Sequence, residues 1–334
     1  VTRTGPGFLT RRIVHVHLTT RCNLACGHCY SSSGPAGGRD LPAPDLLDGL
    51  ARLRAEGYDA VSLSGGEPLL LPRLPELVRA MSALGYLVSV VTNGTLLRSR
   101  RGLASAAVCD SVAVSVDGPP EHHDRIRGSA GAFRRTAQGI DRLRDAGIRF
   151  GITSTVDRDV LPYVPDLHAW AREQGAELLG LRPLAPVGRA ALAMPDQGLT
   201  PAELARLVLM SRLLDDAVLR VHTDAAPIDL LVANRRAAFP RPAESMSDLV
   251  NPLIVTEDGS LRPYAYGMPG RHDLGTIAET GQAVERFRDG GAARIHALID
   301  HAFSRLPAEG CVDWHAHLTS AMGEGRRQPA DLRR

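Results

Sequence analysis

Residues 19–34 read TTRCNLACGHCYSSSG, with Cys22, Cys26 and Cys29 spaced C-x3-C-x2-C. The chain has 334 residues and only five cysteines, and the other two, Cys109 and Cys311, lie far apart. An odd set of thiols so distributed makes a poor disulfide framework. Arg11 and Arg12 lead into a short apolar run rather than the long apolar region of a signal peptide. A cytoplasmic location with reduced thiols is therefore expected, and the cluster reads as a metal site. Zinc would take three thiolates and a histidine, with His28 available inside the loop. An iron–sulfur cube held by three cysteines would leave one iron open to a ligand from outside the protein. The loop alone does not choose between them.

Outward from the loop, short β-branched runs alternate with helical patterns. RIVHVHL, AVSLSGG, LVSVVTNG, SVAVSVDG, FGITSTV and LLGLRPL read as strands. Between them, LPAPDLLDGLARLRAEG, LPRLPELVRAMSALG, GAFRRTAQGIDRLRDAG and VPDLHAWAREQG carry apolar residues at three- and four-residue steps and end on glycine. TLLRSRRGLASAA is less regular. Six βα units in series predict an α/β fold with a parallel sheet, either doubly wound or a complete or partial barrel. In either, ligands gather at the C-terminal strand ends. The unusual residues fall there: the cysteines after the first strand, Gly65–Glu67 after the second, Asn93–Gly94 after the third and Asp117–Gly118 after the fourth.

After Pro183 the rhythm changes. RPLAPVGRAALAMPDQGLT is a Pro/Gly-rich connection, Thr200 opens a capped helix, and LIVTEDGSLRPYAYG reads as a hairpin turning at Asp258–Gly259. The expected division is a core over 1–190 and a small α+β extension over 191–334, ending in the tail GEGRRQPADLRR. Hydrophobic content of 44% and a net charge of +2 give no footprint for nucleic acid, and no apolar run approaches a membrane span. The sequence contains no lysine, which excludes Schiff-base chemistry and the P-loop.

C-x3-C-x2-C, SGGEPLL, TNGTLL and SVDGPPEHHDRIRG, in this order over roughly Ile13 to Arg189, resemble the radical S-adenosylmethionine (SAM) superfamily. The resemblance implies a partial (β/α)6 TIM-like barrel in which Cys22, Cys26 and Cys29 ligate a [4Fe–4S] cluster. SAM would chelate the fourth iron, and its reductive cleavage would give a 5′-deoxyadenosyl radical that removes hydrogen from substrate. A flavodoxin- or ferredoxin-type donor would supply the electron. Position by position, Ser64, Gly65, Gly66 and Glu67 match the segment that receives the methionyl amine, with Glu67 as counter-charge. His28 stands where the loop nears adenine. Thr92, Asn93, Ser115 and Asp117 match ribose and carboxylate contacts, and Arg127 matches a partner for the SAM carboxylate. Thr92, Asn93 and Asp117 are also good turn residues.

The hairpin resembles the start of a SPASM or twitch extension, but Tyr264 stands where such relatives carry cysteine, and only Cys311 remains downstream. One thiolate cannot hold an auxiliary cluster. A redox-neutral outcome is expected: rearrangement, elimination, decarboxylation or epimerisation. His15 and His17 share one strand face and are expected in a polar substrate pocket, with Arg182 placed to clamp a carboxylate or phosphate. Tyr264 and Tyr266 are candidates to close it. Cys311 is a candidate hydrogen-atom donor, against the commoner reading of a buried inert thiol. Cys109 reads as structural, and HHD at 122–124 and WHAH at 314–317 as poor zinc sites. The expected substrate is a polar small molecule derived from a sugar, nucleoside or amino acid. The alternative is a ribosomally made peptide, and that of another class is a non-enzymatic cluster carrier. About 12 residues precede the first strand, so no leader-peptide-binding domain is expected there.

Overall fold

The computed structural model describes residues 11–323, so nearly all of the tail expected at the C-terminus lies outside the described residues. The six expected strands form: β1 (Ile13–His17), β2 (Ala60–Ser64), β3 (Leu87–Thr92), β4 (Ser111–Ser115), β5 (Phe150–Val156) and β6 (Leu178–Pro183). They pair in sequence order, all parallel. Helices α1 (Ala43–Ala55), α2 (Leu74–Ala83), α3 (Arg100–Ala106), α4 (Pro120–Arg127), α5 (Ala132–Asp145) and α6 (Val164–Glu173) fill the connections. Each long helix buries one stripe: Leu46, Leu50 and Leu53 on α1, Leu77, Val78 and Met81 on α2, Ile140 and Leu143 on α5.

Strand alternation sets the two faces. Val14 and Val16 of β1 are fully buried in the core with the α1 leucines, while His15 and His17 point the other way, in register with Ser62 and Ser64. The same face continues through Ser89, which pairs with Ser111, and through Ser115, Thr153 and Gly180, and Thr155 pairs with Arg182. The inner wall is therefore small and polar rather than packed with aliphatic side chains.

Residues beyond 190 extend the main sheet at both edges and add a separate two-stranded ribbon. After the short α7 (Ala190–Ala193) and α8 (Pro201–Leu214), which Thr200 caps as expected and Glu203 closes into a capping box, β7 (Arg220–Thr223) joins β6 in parallel. A two-stranded ribbon pairs β8 (Ala225–Pro227) with β12 (Cys311–Asp313). The expected hairpin is β9 (Leu253–Val255) and β10 (Ser260–Pro263), with Gly259 at φ 87° in its turn and β11 (Gly275–Thr276) at its edge. The sequence gives no sign that β9 also lies parallel beside β1, so the sheet runs β11-β10-β9-β1-β2-β3-β4-β5-β6-β7. The extension thus borders the six-stranded core on both edges, an α/β partial barrel with added strands. No helix is long and apolar enough to cross a membrane among the described residues.

Candidate active site

The cysteine loop is held by backbone and by one arginine. Cys22 donates its N–H to the Gly34 carbonyl (3.0 Å) and Gly27 to that of Ile126 (2.8 Å). Arg189 grips the loop from outside: its backbone N–H meets Cys29 O (2.9 Å), and its guanidinium meets Cys26 O (2.6 Å), Ser32 O (3.1 Å) and Ser33 O (2.9 Å). Gly188, at φ 61°, lets this strap approach, since a Cβ there would lie 2.1 Å from Tyr30 O. Residue-by-residue reading gave Arg189 no role; the only signal was its place in the VGRA segment.

Each sulfur faces a donor from the surrounding shell. The Asn93 amide lies 3.9 Å from Cys22 Sγ, Ser31 Oγ 3.5 Å from Cys29 Sγ, and Arg127 hydrogen-bonds Cys26. Burial, followed by repulsion from Glu67 and the neighbouring thiols, pushes Cys22 up to about 12, and burial also raises Cys26. Three free thiols in this setting need a strongly cationic centre to become thiolates together, and N–H and O–H donors aimed at sulfur are what cluster ligands accept. Among the described residues, no three His, Cys, Asp or Glu side chains converge on a single-ion position. His28 instead turns its Nε2 to Asp117 (3.6 Å). The donor set fits an iron–sulfur cube with three protein ligands, and it does not supply a Cys3His zinc site.

The strand-end motifs converge on this loop, but several do so as braces. Glu67, expected as a counter-charge for SAM, is fully buried. Its oxygens accept from Thr92 Oγ1 (2.8 Å), Leu69 N (3.0 Å) and Asn93 N (2.8 Å), which ties the ends of β2 and β3 together. Thr92, expected at the ribose, is likewise buried, and Asn93 binds Asn23 (2.9 Å) and Thr95 as well as facing Cys22. Arg127, expected at the SAM carboxylate, forms a buried two-point pair with Asp117 (2.7 and 2.6 Å). Asp117 also accepts from Thr155 N (2.9 Å). Although burial opposes ionisation, Arg127 and His28 hold the Asp117 carboxyl well below its usual range. Gly65 and Gly66 permit close approach, but to the cysteine loop itself: a Cβ on Gly66 would sit 2.0 Å from Arg21 O. Ser115 stays partly open on the inner wall, and burial keeps His28 neutral, at about 4.

Beside Cys29 the inner wall gathers a second set of groups. His17, 3% exposed, stacks on Tyr266 (4.6 Å between centroids) and meets the edge of Tyr30 (5.4 Å). Tyr30 hydrogen-bonds Ser64. Tyr266 donates its hydroxyl to Glu257 (3.1 Å). His15 lies in the field of Arg182, His315 and Asp224, and Arg182 is ion-paired with Asp224. The expected free clamp on a carboxylate or phosphate is thus already neutralised. Burial lowers His15 to about 4 and His17 to about 3.

Other sequence candidates lie elsewhere. Tyr264 is a core residue rather than a lid: it is 2% exposed at φ 65° and donates to Leu249 O (2.6 Å). Cys311 sits in a small apolar cluster with Leu204, Val208 and Ala225 and lines a solvent-open cavity between residues 183–204 and β12; burial raises its thiol. Cys109 is half-buried just before β4, its sulfur 3.9 Å from Ser105 O.

The radical SAM superfamily model matches residues 16–166. The chain is 34% identical over 186 residues to an AdoMet-dependent heme synthase of Oleidesulfovibrio alaskensis, covering 54% of this chain and 47% of that protein. It is 32% identical over 176 residues to the sporulation killing factor maturation protein SkfB of Bacillus subtilis, covering 52% and 43%. The chain spans about half the length of these and similar curated relatives. In fold it is similar to anSMEcpe with bound AdoMet and Cp18Cys peptide, with a TM-score of 0.61 at 18% identity over 86% of this chain and 82% of that one. Streptococcus suis SuiB bound to precursor peptide SuiA aligns with a TM-score of 0.58 at 14% identity, over 75% and 58%. The buried sulfurs with their donors and the strand-end motifs thus belong to a radical SAM domain, of a family that uses a [4Fe–4S] cluster and SAM, with homologues in the SPASM/twitch-containing branch.

Proposed function

We propose that the protein is a radical SAM enzyme acting on a polar small molecule, derived from a sugar, nucleoside or amino acid, with a redox-neutral outcome. The observation that carries the radical chemistry is the three-cysteine loop, in which every sulfur faces a donor and the ends of β2, β3 and β4 close around it. Cys22, Cys26 and Cys29 would hold the cluster, and Ser64, Gly65, Gly66, Ser115 and His28 would line the side from which SAM approaches. When bound, the cluster supplies the electron that cleaves SAM to the hydrogen-abstracting 5′-deoxyadenosyl radical. Arg127 stabilises negative charge on Cys26, Asn93 does the same at Cys22, and Arg189 fixes the loop against which both act. Burial keeps His15 and His17 neutral on the inner wall, and the Tyr266 ring stacks on His17 there.

The redox-neutral reading is supported by the C-terminal extension. Downstream of Cys109 the chain carries only Cys311, and Tyr264 packs into the core where the SPASM-type pattern has cysteine. An auxiliary cluster has no ligands there to accept the substrate's electron. Five free cysteines support a cytoplasmic setting with a flavodoxin- or ferredoxin-type reductant. Relatives named for peptide maturation keep a peptide substrate as the second reading.

Anaerobic reconstitution tests the proposal. About four irons per chain and dithionite-dependent 5′-deoxyadenosine, both lost in Cys26→Ala, are expected. A protein that binds zinc and ignores SAM would overturn it.

A further inference from the structure

The helices that follow the core strands differ in what they place in their first turn. α1, α2, α4 and α6 each carry an acidic residue there, Asp45, Glu76, Glu121 and Asp166, which suits the positive end of a helix. α3 and α5 carry none. They open instead on arginine pairs, Arg100–Arg101 and Arg134–Arg135, and Arg98 stands just before α3. Cations at a helix start are locally unfavourable, so two such starts are a conflict that helix formation does not explain. Among the described residues none of these five arginines forms an ion pair, whereas Arg125, Arg144 and Arg149 each do. Arg101 and Arg135 bond only neutral oxygens, those of Leu70, Ala130 and Ser129. Asp124, which precedes α5, gives its oxygens to the Gly131 and Phe133 N–H groups.

The arginines surround the point where the cysteine loop meets the end of β3. Asn23 donates to Thr95 Oγ1 (2.9 Å), and the Asn93 amide faces Cys22 Sγ (3.9 Å). On the other side, Thr136 of α5 donates to Asn93 O (2.8 Å). Gly139 of α5 packs on Leu97, where a Cβ would lie 2.9 Å from the Leu97 Cβ. Arg98 thus follows directly on a residue seated against α5, one helical turn from Arg135. The loop itself surfaces here: Asn23 and Ala25 are exposed, and Cys22 is only half-buried. Resting on the radical SAM reading above, we propose that Arg98, Arg100, Arg101, Arg134 and Arg135 form the docking face for an acidic one-electron carrier protein, which reduces the cluster from the Cys22 side. The carrier is oxidised by one electron and the cluster reduced by one, with no bond made or broken. Spread over a loop and two helix starts, the charges complement a surface bearing several carboxylates rather than a single anionic group.

Arg98, Arg100 and Arg134 make no side-chain hydrogen bond among the described residues, so changing all three to glutamine removes charge without removing a structural contact. Arg79, Arg142 and Arg206, exposed on α2, α5 and α8, give a control triple of equal charge. A bacterial flavodoxin and a ferredoxin are titrated by calorimetry onto the reconstituted full chain at low ionic strength. The rate at which the reduced carrier bleaches the cluster absorbance is the second readout. At least one carrier should bind, about tenfold more weakly to the Arg98→Gln, Arg100→Gln, Arg134→Gln triple and within about twofold of the parent for the control triple. The difference should vanish near about 1 M salt, where surface charges are screened. Iron per chain should match the parent in both triples. Binding of neither carrier, equal losses in both triples, a loss that persists at high salt, or tighter binding of a DNA oligonucleotide than of either carrier would overturn the proposal. A parent that holds no cluster, or that cleaves no SAM with dithionite, would instead strike at the radical SAM reading, because carrier binding is read without SAM.

Discussion

The two ends of the inner wall are built on opposite rules. Around the cysteine loop the carboxylates and amides are engaged: Glu67 by Thr92 and two backbone N–H groups, Asp117 by Arg127 and Thr155, Asn93 by Asn23 and Thr95, although His28 Nδ1 is left without a partner. At the mouth, His17 and His315 each leave a ring nitrogen without a partner, and the Arg182–Asp224 pair stays partly exposed. The first region has its carboxylates braced by the chain itself, as a fixed reaction centre requires. The second is left incomplete, as a surface awaiting a ligand is. A rigid motif and an open recognition wall thus occupy neighbouring strand ends of one sheet.

The largest test of the finished region is Arg127→Met. It strands the buried Asp117 carboxylate, and denaturant unfolding should show a loss of about 3–5 kcal/mol, with a fall in iron retained per chain. Arg189→Ala should remove about 2 kcal/mol by releasing the loop carbonyls, and iron content should fall; Arg189→Lys, unable to reproduce the fork, should recover only part. If either change left iron retention intact, the contrast between a braced centre and an open wall would lose its first half.

The open wall should instead respond to pH. His17 is held near 3 by burial, against 6.5 for an exposed imidazole. Its folded form therefore stays neutral while the unfolded chain takes up a proton, so stability is full above pH 6.5 and falls as pH drops toward 3. The slope from this residue approaches about 1.4 kcal/mol per pH unit. His17→Gln should flatten that part of a pH–stability curve; an unchanged slope would mean the ring is not desolvated as described. Tyr264→Phe deletes one buried hydrogen bond and should cost about 1 kcal/mol with iron content and SAM cleavage unchanged. The smallest effect is expected from Cys311→Ala. SAM cleavage and product formation should persist, since the thiol sits in an apolar cluster; loss of product with SAM cleavage retained would restore its role as hydrogen donor.

The six strands and the positions of the motifs at their C-terminal ends were legible because hydrophobic alternation and glycine endings are local. The cysteine spacing was legible for the same reason: one short loop carries all three ligands. Arg189 was not, because what makes it matter is a contact with carbonyls some 160 positions away in the chain. Nor was the state of Glu67, Asp117 and Arg127, since a charged residue at a strand end looks the same in sequence whether it meets a ligand or a buried partner.

By itself the sequence determined the parallel α/β core, the thiol cluster and the absence of lysine chemistry. Periodicity, spacing and residue type are properties of the chain and need no knowledge of what packs against them. Only the tertiary structure decided which side chains are spent on bracing and which remain open. It brought β9 beside β1 and β7 beside β6, and it set Asp224, Tyr266 and Asp313 from the extension against His15, His17 and Arg182 of the core. Those neighbours are fixed by burial and long-range pairing, and burial and pairing are what turn a residue type into a charge, a pKa and a role.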